Sequence, residues 1–281
     1  MKNLLIVDGH ALLFQMFFGM PSRIVNEDGI AIHGVLGFVG ALIKTIKMIK
    51  ATHVFVVFDG EHENKRTELL PDYKANRIDY SGISDSGNPF SQLENIYEAL
   101  DFMQIKHMEA TIFEADDVIA SYVYRYNNVA QIFISSFDSD FFQLISDTVS
   151  ILRYRGENTV ICDKAYLQAK YNILPEQYVC FKSLVGDRAD NIKGAEKIGI
   201  KTASALINQY GSLHDIISNA DKITKPSIRE SILRNKDRLL VNYKLIKLSS
   251  KPITIFEIDD LAYTLFNPIT REVLRGIGLL R

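Results

Sequence analysis

The sequence predicts an α/β protein with a mostly parallel central sheet flanked by helices, followed by a helical second part. Two apolar runs carry most of that reading, because residues 4–9 and 53–60 both end in Asp-Gly, as buried parallel strands do when they deliver a side chain to the sheet rim. A third run, 131–135, stops at Ser136-Phe137-Asp138-Ser139-Asp140. Beyond Asp163 the pattern turns mostly helical, and a soft boundary falls near 163–171.

In chain order, Asp8 closes the first strand and precedes a helix over 10–18, so it is either a ligand or a helix cap. A helix over 34–50 leads to the second strand and Asp59. Parallel strands joined by a crossover point the same way, which puts Asp8 and Asp59 on one rim. Residues 61–89 are polar and basic, with Lys65, Arg66, Lys74 and Arg77 around Tyr73. Such an insertion suits a nucleic-acid strand through phosphate pairing and base stacking, and a solvated loop is the alternative. A helix over 90–102 and a strand over 105–110 follow. Glu114, Asp116 and Asp117 then open an apolar helix, and all three converge only if Glu114 lies before the helix proper. Favourable placement in the helix dipole would explain them equally well. Short strands over 148–154 and 159–162 pair around Gly156-Glu157-Asn158.

In the second part, a helix over 175–185 runs into Gly186-Asp187-Arg188-Ala189-Asp190, and Asp187 and Asp190 complete the acidic set from across the fold. Gly194 to Ala203 reads as a glycine turn feeding a helix through Tyr210. Its backbone N–H groups, with Lys193, Lys197 and Lys201, suit a phosphate. An ordinary helix–helix turn is the other reading. Residues 228–247 and 271–277 read as packing helices.

Carboxylates gathered this closely repel one another unless protonated or bound to cations, so the acids predict a divalent metal site. An EF-hand is excluded: position 6 of a loop starting at Asp138 is Gln143 and position 12 is Val149. The chain has 281 residues, 47% hydrophobic and 23% charged, enough for one large or two smaller domains. No apolar run reaches membrane-span length and no signal-peptide pattern opens the chain, which predicts a cytoplasmic protein. Cys162 and Cys180 read as buried thiols, with no zinc spacing. Setting nine acids of the site aside from the net charge of −2 leaves +7 on the rest, available for a phosphate track.

These pieces together resemble the 5′-nuclease family: flap endonucleases, phage 5′-nucleases and the N-terminal 5′–3′ exonuclease domain of bacterial DNA polymerase I. The resemblance rests on Val7-Asp8-Gly9, Phe58-Asp59-Gly60, Tyr73-Lys74-Ala75-Asn76-Arg77, Glu114-Ala115-Asp116-Asp117, Asp138-Ser139-Asp140 with Gln143-Leu144, and Leu184-Val185-Gly186-Asp187 with Asp190-Asn191-Ile192. It implies a PIN-like catalytic domain over 1–165 with a helical arch about 61–90, and a helical DNA-binding domain over 166–281 with a helix-turn-helix at 192–210. Asp8, Asp59, Glu114 and Asp116 would surround a first Mg²⁺ or Mn²⁺, and Asp117, Asp138, Asp140, Asp187 and Asp190 a second. Tyr73 and Lys74 would stand at the arch base, and Lys74 with Arg77 would offset phosphoryl charge. Lys193, Gly194, Lys197, Ile198, Gly199, Lys201 and Thr202 would meet DNA, with K⁺ held by carbonyl groups of the turn. The implied activity is 5′–3′ exonuclease and flap endonuclease on DNA with a 5′ flap, overhang or nick, or on an RNA–DNA primer, in replication and repair at the nucleoid. A free-standing bacterial-type monomer is the expectation. Two departures stand out: Lys197-Ile198-Gly199 replaces the usual Gly-Ile-Gly, and Phe137 and Arg188-Ala189 replace common Gly and Ser residues. A PIN-like ribonuclease and a non-catalytic DNA-junction binder remain the rivals.

Overall fold

The computed structural model describes residues 2–60, 65–251, 253–264 and 268–281. Strand β1 (Lys2–Asp8) leads through α1 (Gly9–Gly19) and α2 (His33–Ile49) to β2 (His53–Asp59). After α3 (Lys65–Leu69) come α4 (Leu93–Phe102), β3 (Lys106–Ala110), α5 (Ala115–Tyr126) and β4 (Ala130–Ser135). Strands β5 (Val149–Arg153) and β6 (Val160–Cys162) complete the sheet, in order β3-β2-β1-β4-β5-β6. All neighbours are parallel except β5 and β6, which pair antiparallel as a short hairpin.

Side-chain alternation along β1 explains why the sheet is buried on both faces. Leu4 and Ile6 enter one core with Phe55, Val57, Ile132 and α5, whereas Leu5 and Val7 enter the other with Val54, Val56, Phe58 and helices α1, α2 and α4. The connection from β3 through α5 to β4 reverses the direction in which strands are added, so the switch point lies between β1 and β4. In such sheets the crevice outside the strand ends receives ligands. Asp8 and Asp59 end β1 and β2 there, and Asp138 follows β4 closely.

The second part runs through α6 (Lys164–Tyr171), α7 (Tyr178–Val185), β7 (Gly186–Asp187), β8 (Ile192–Lys193), α8 (Ile200–Tyr210), α9 (Leu213–Ser218), α10 (Pro226–Ile246) and α11 (Thr270–Gly276). Its helices share one continuous core with α5 and the sheet, through residues such as Phe142, Phe181 and Leu184. Val273, Leu274 and Leu279 cross back to the opposite sheet face against α2 and α4. The chain end thus packs on the first part of the fold.

Several sequence expectations shift locally. Pro89–Gln92 and Pro175–Gln177 are 3₁₀ turns before their helices, because proline favours the first turn but lacks an N–H. Asp140–Leu144 also forms a 3₁₀ turn. Of the insertion expected to form a helical arch, residues 61–64 lie outside the described residues. The described remainder holds one short helix, α3, and then turns pinned to the β7–β8 hairpin. The Lys74 N–H donates to Asp190 O, Asn76 Nδ2 to Arg188 O and Asn191 Nδ2 to Asp72 O.

That hairpin depends on two glycines in contact. Gly186 has φ +83°, and a β-carbon on Gly194 would lie 2.4 Å from Leu184 O. Gly194→Ala is therefore expected to lower stability by about 2–4 kcal/mol in urea unfolding. Gly199→Ala, whose β-carbon meets nothing within 4 Å, should cost under about 1 kcal/mol. Equal losses would refute this account of the hairpin.

Candidate active site

At the strand ends, backbone N–H groups orient the carboxylates. Asp8 Oδ1 accepts from Ala11 N at 3.0 Å, capping α1, while Oδ2 accepts from Ser136 Oγ at 2.8 Å. Asp8 is therefore a cap and a rim carboxylate at once. Asp59 Oδ1 accepts from Ala115 N at 2.7 Å, Asp138 Oδ1 from Asp140 N at 2.8 Å and Asp187 Oδ1 from Ala189 N at 2.9 Å. Fixing one oxygen to the main chain aims the other without depending on a flexible side chain.

Seven of the nine acids gather into two adjoining groups, and Glu114 joins them through Lys74, which it shares with Asp116 and Asp190. Asp8, Asp59, Asp116 and Asp138 repel one another. Burial, reinforced by Asp59 and Asp138 and partly opposed by hydrogen bonds from Ala11 and Ser136, pushes Asp8 up to about 7. Burial and Asp138 raise Asp116 well above the usual carboxylate range, against the pull of Lys74. In the second group, oxygens of Asp140, Asp187 and Asp190 lie within 4.8 Å of one another. Burial raises Asp140 to about 7 despite Lys182, and it raises Asp190 despite Lys74. Asp138 acts on both groups. Glu114 stands in extended conformation just before α5, the placement its convergence requires.

Asp117, an expected ligand of the second ion, stands outside the two groups in its described contacts. Its Oδ1 accepts from Arg66 Nη2 at 3.1 Å and from Ser249 N at 2.8 Å, so its described contacts tie the insertion and the chain after α10 to α5. The expected stacking role of Tyr73 is likewise not available. Its ring is buried among Val179, Ile192, Leu245 and Ile246, with its hydroxyl 3.5 Å from Glu114.

Four cations enter the cluster. Arg66 pairs with Glu114 and Asp117, Lys74 lies 3.1 Å from Glu114, and Arg77 lies 3.3 Å from Asp190. Lys182, 5% exposed, pairs with Asp140 and Asp187 and stands 4.0 Å from Asp138. Burial opposes its charge, yet Asp140 and Asp138 outweigh burial and hold it protonated. Sequence reading missed Lys182 and saw Arg66 only as one basic residue of a loop. A lone lysine in the apolar helix ahead of Gly186-Asp187 was the available signal.

The turn before α8 exposes Lys193, Lys197, Gly199 and Lys201 and half-buries Gly194 and Thr202. Ile198 is buried in the core, so its expected DNA contact is replaced by packing. Lys197 has φ +64°, keeping the left-handed conformation that glycine favours. No side chain caps α8 at Gly199, so the cap residue offers its first amides no side-chain acceptor. Among the described residues, no helix is long and apolar enough to cross a membrane.

A parallel sheet with a carboxylate-lined rim at its switch point defines the class, an α/β protein with a ligand crevice outside its strand ends. Comparison narrows the class. The family described as 5′-3′ exonuclease, N-terminal resolvase-like domain, matches residues 3–172, and that described as 5′-3′ exonuclease, C-terminal SAM fold, matches 173–268. A 5′-3′ exonuclease of Buchnera aphidicola is 31% identical over 254 residues, covering 87% of this chain and 85% of its own. The thermostable DNA polymerase I of Thermus thermophilus is 33% identical over 248 residues, 88% of this chain, and the chain spans 28% of that relative's length. A bacteriophage T5 flap endonuclease, solved as a pseudo-enzyme-product complex with DNA and metal ions, shares the fold with TM-score 0.71, 23% identity and 98% of both chains covered. The chain belongs to the 5′-3′ exonuclease family.

Two outcomes follow from the geometry. A carboxyl raised in the folded state contributes stability below its unfolded value near 4, and that contribution is lost as pH rises through about 7. In EDTA, stability should therefore fall from pH 5 to 8, and Asp8→Asn should remove about 2–4 kcal/mol of that fall. Parallel pH curves for the two proteins would refute it. Lys197→Gly should raise stability by about 1 kcal/mol in urea by relieving the left-handed backbone, whereas a loss would show that the lysine side chain holds the turn.

Proposed function

We propose that the chain is a structure-selective 5′-nuclease, acting as a 5′–3′ exonuclease and flap endonuclease on DNA phosphodiesters during primer removal and repair. One observation carries the reading: two adjoining acid groups at the switch point share Asp138, with basic residues of the insertion beside them. Family membership supports the reaction class, and the DNA and metal ions of the T5 complex support the ligands.

The donor set fits two Mg²⁺ or Mn²⁺ ions. It is made of carboxylate oxygens alone, and burial makes Asp8, Asp116 and Asp140 unfavourable as anions unless cations accompany them. Asp8, Asp59, Glu114 and Asp116 would hold one ion and Asp138, Asp140, Asp187 and Asp190 the other. When bound, such ions make water acidic enough to attack phosphorus at neutral pH and offset charge on the leaving oxygen.

The remaining work belongs to the chain's own side chains. Lys74 and Arg77, on the rim between Glu114 and Asp190, offset negative charge on a phosphate entering there. Arg66 anchors the insertion so that Lys74 is positioned. Lys193, Lys197, Lys201 and the open amides of α8 hold the duplex backbone away from the reaction. Asp117, tied to Arg66 and Ser249, supports the site from behind.

A 5′-flap DNA labelled on its flap tests this with Mg²⁺ and with Mn²⁺. The wild type should cut near the junction, and Asp140→Asn and Lys74→Ala should each lose about a hundredfold or more of the rate while still binding. Tight binding without cutting in either metal would leave a junction-binding protein. Preferential cutting of single-stranded RNA would leave a ribonuclease.

A further inference from the structure

Helix α10 presents a polar seam to the turn that precedes α8. Ser231, Asn235, Arg238 and Asn242 follow one another at spacings of four, three and four, so they share one helix face. Three of them donate to main-chain acceptors of the turn. Ser231 Oγ donates to Glu196 O at 2.6 Å, Arg238 Nη2 to Gly194 O at 2.9 Å, and Asn242 Nδ2 to Lys193 O at 2.9 Å and Ser183 O at 3.1 Å. The Glu196 carboxylate closes the seam, accepting from Arg238 Nη2 at 3.0 Å and from Asn235 Nδ2. Hydrogen bonds from Arg238 and then Asn235 hold that carboxyl down at about 2.

A K⁺ ion held by carbonyl groups of this turn needs several oxygens that converge, and each hydrogen bond already accepted takes one of an oxygen's two lone pairs. Here the carbonyls of Lys193, Gly194 and Glu196 already accept from α10, and the Arg238 guanidinium, paired with the Glu196 carboxylate, lies against the middle one. These three carbonyls, already stabilised by donors from α10, fit the ion poorly. We infer that Arg238, with Ser231, Asn235 and Asn242, takes the place of a monovalent cation, making the turn's grip on DNA independent of K⁺; this rests on the reading of the turn as a duplex-binding element. Arg238 is a positioning residue. It fixes the backbone from Lys193 to Glu196, and so aims Lys193, Lys197 and the α8 amides.

Two measurements test this in EDTA, where no cutting occurs: anisotropy of a labelled flap duplex, and thermal unfolding without DNA. Both are made in KCl, NaCl and tetramethylammonium chloride at one ionic strength. Wild-type affinity should vary by less than about twofold among the salts, with one melting temperature throughout. Arg238→Ala should bind about fivefold or more weakly in tetramethylammonium and recover part of that in KCl, where the freed carbonyls accept the ion. Arg238→Lys, which restores a cation there, should stay close to wild type in every salt. A wild type that K⁺ tightens by about fivefold, or melts several degrees higher in K⁺ alone, would overturn the inference. So would an Arg238→Ala protein that binds like wild type in all three salts. A wild type that binds DNA in no salt would instead refute the duplex-binding reading, and the melting comparison alone would then decide whether the turn takes K⁺.

Discussion

Mutual repulsion among carboxylates is the constraint on which the site is built. Eight acids from five separate chain segments meet at the carboxyl ends of β1, β2 and β4, where burial raises Asp8, Asp116, Asp140 and Asp190. Two unit charges about 4 Å apart at an effective dielectric near 20 repel by about 4 kcal/mol, so a group of four is untenable without compensation. Compensation takes three forms: backbone N–H groups on Asp8, Asp59, Asp138 and Asp187, ion pairs to Arg66, Lys74, Arg77 and Lys182, and raised proton affinity where those do not suffice.

The fold distributes these roles by distance from the sheet. Carboxylates on strand ends and the first turn of α5 are held by helix starts, where amides lack intrahelical partners. Asp140, Asp187 and Asp190 belong to turns, and a charged side chain from α7 holds two of them. The second group therefore depends on how α7 packs against the sheet, through Phe142, Tyr178 and Phe181. A loss of packing there would move Lys182 and the acids together, which links the integrity of the shared core to the chemistry of the rim.

Much of this was legible in the sequence, for physical reasons. An apolar run ending in Asp-Gly specifies a buried strand and the end at which its carboxylate emerges, so Asp8 and Asp59 could be placed on one rim. Glu114 could be placed because helix periodicity separates it from Asp116 unless it precedes the helix. What was not legible depends on long-range partners. The opposed fates of Asp116 and Asp117 are set by Arg66 and Ser249, far away in the chain, and local spacing does not encode them. Tyr73 resembled a stacking residue because its neighbours are basic, but its ring fills a gap among α7, β8 and α10. Ile198 sits in a basic turn and points inward for the same kind of reason.

Lys197 shows how a departure from a motif can leave the architecture intact. Glycine in a turn serves either conformation or close approach, and the two requirements separate under substitution. At Gly194 the three nearest atoms, from Leu184, Val185 and Gly186, are all backbone, so no side chain is tolerated. At Lys197 only the left-handed conformation is needed, and a lysine can adopt it at a modest cost while adding an exposed charge beside Lys193 and Lys201. That cost must be met by contacts that hold the turn in shape. The seam from α10 supplies them, since Ser231, Arg238 and Asn242 fix the carbonyls of Glu196, Gly194 and Lys193 immediately before the strained residue. The lysine at 197 and the arginine at 238 are thus two parts of one solution: a turn stiffened by side chains from behind can carry an added charge in front.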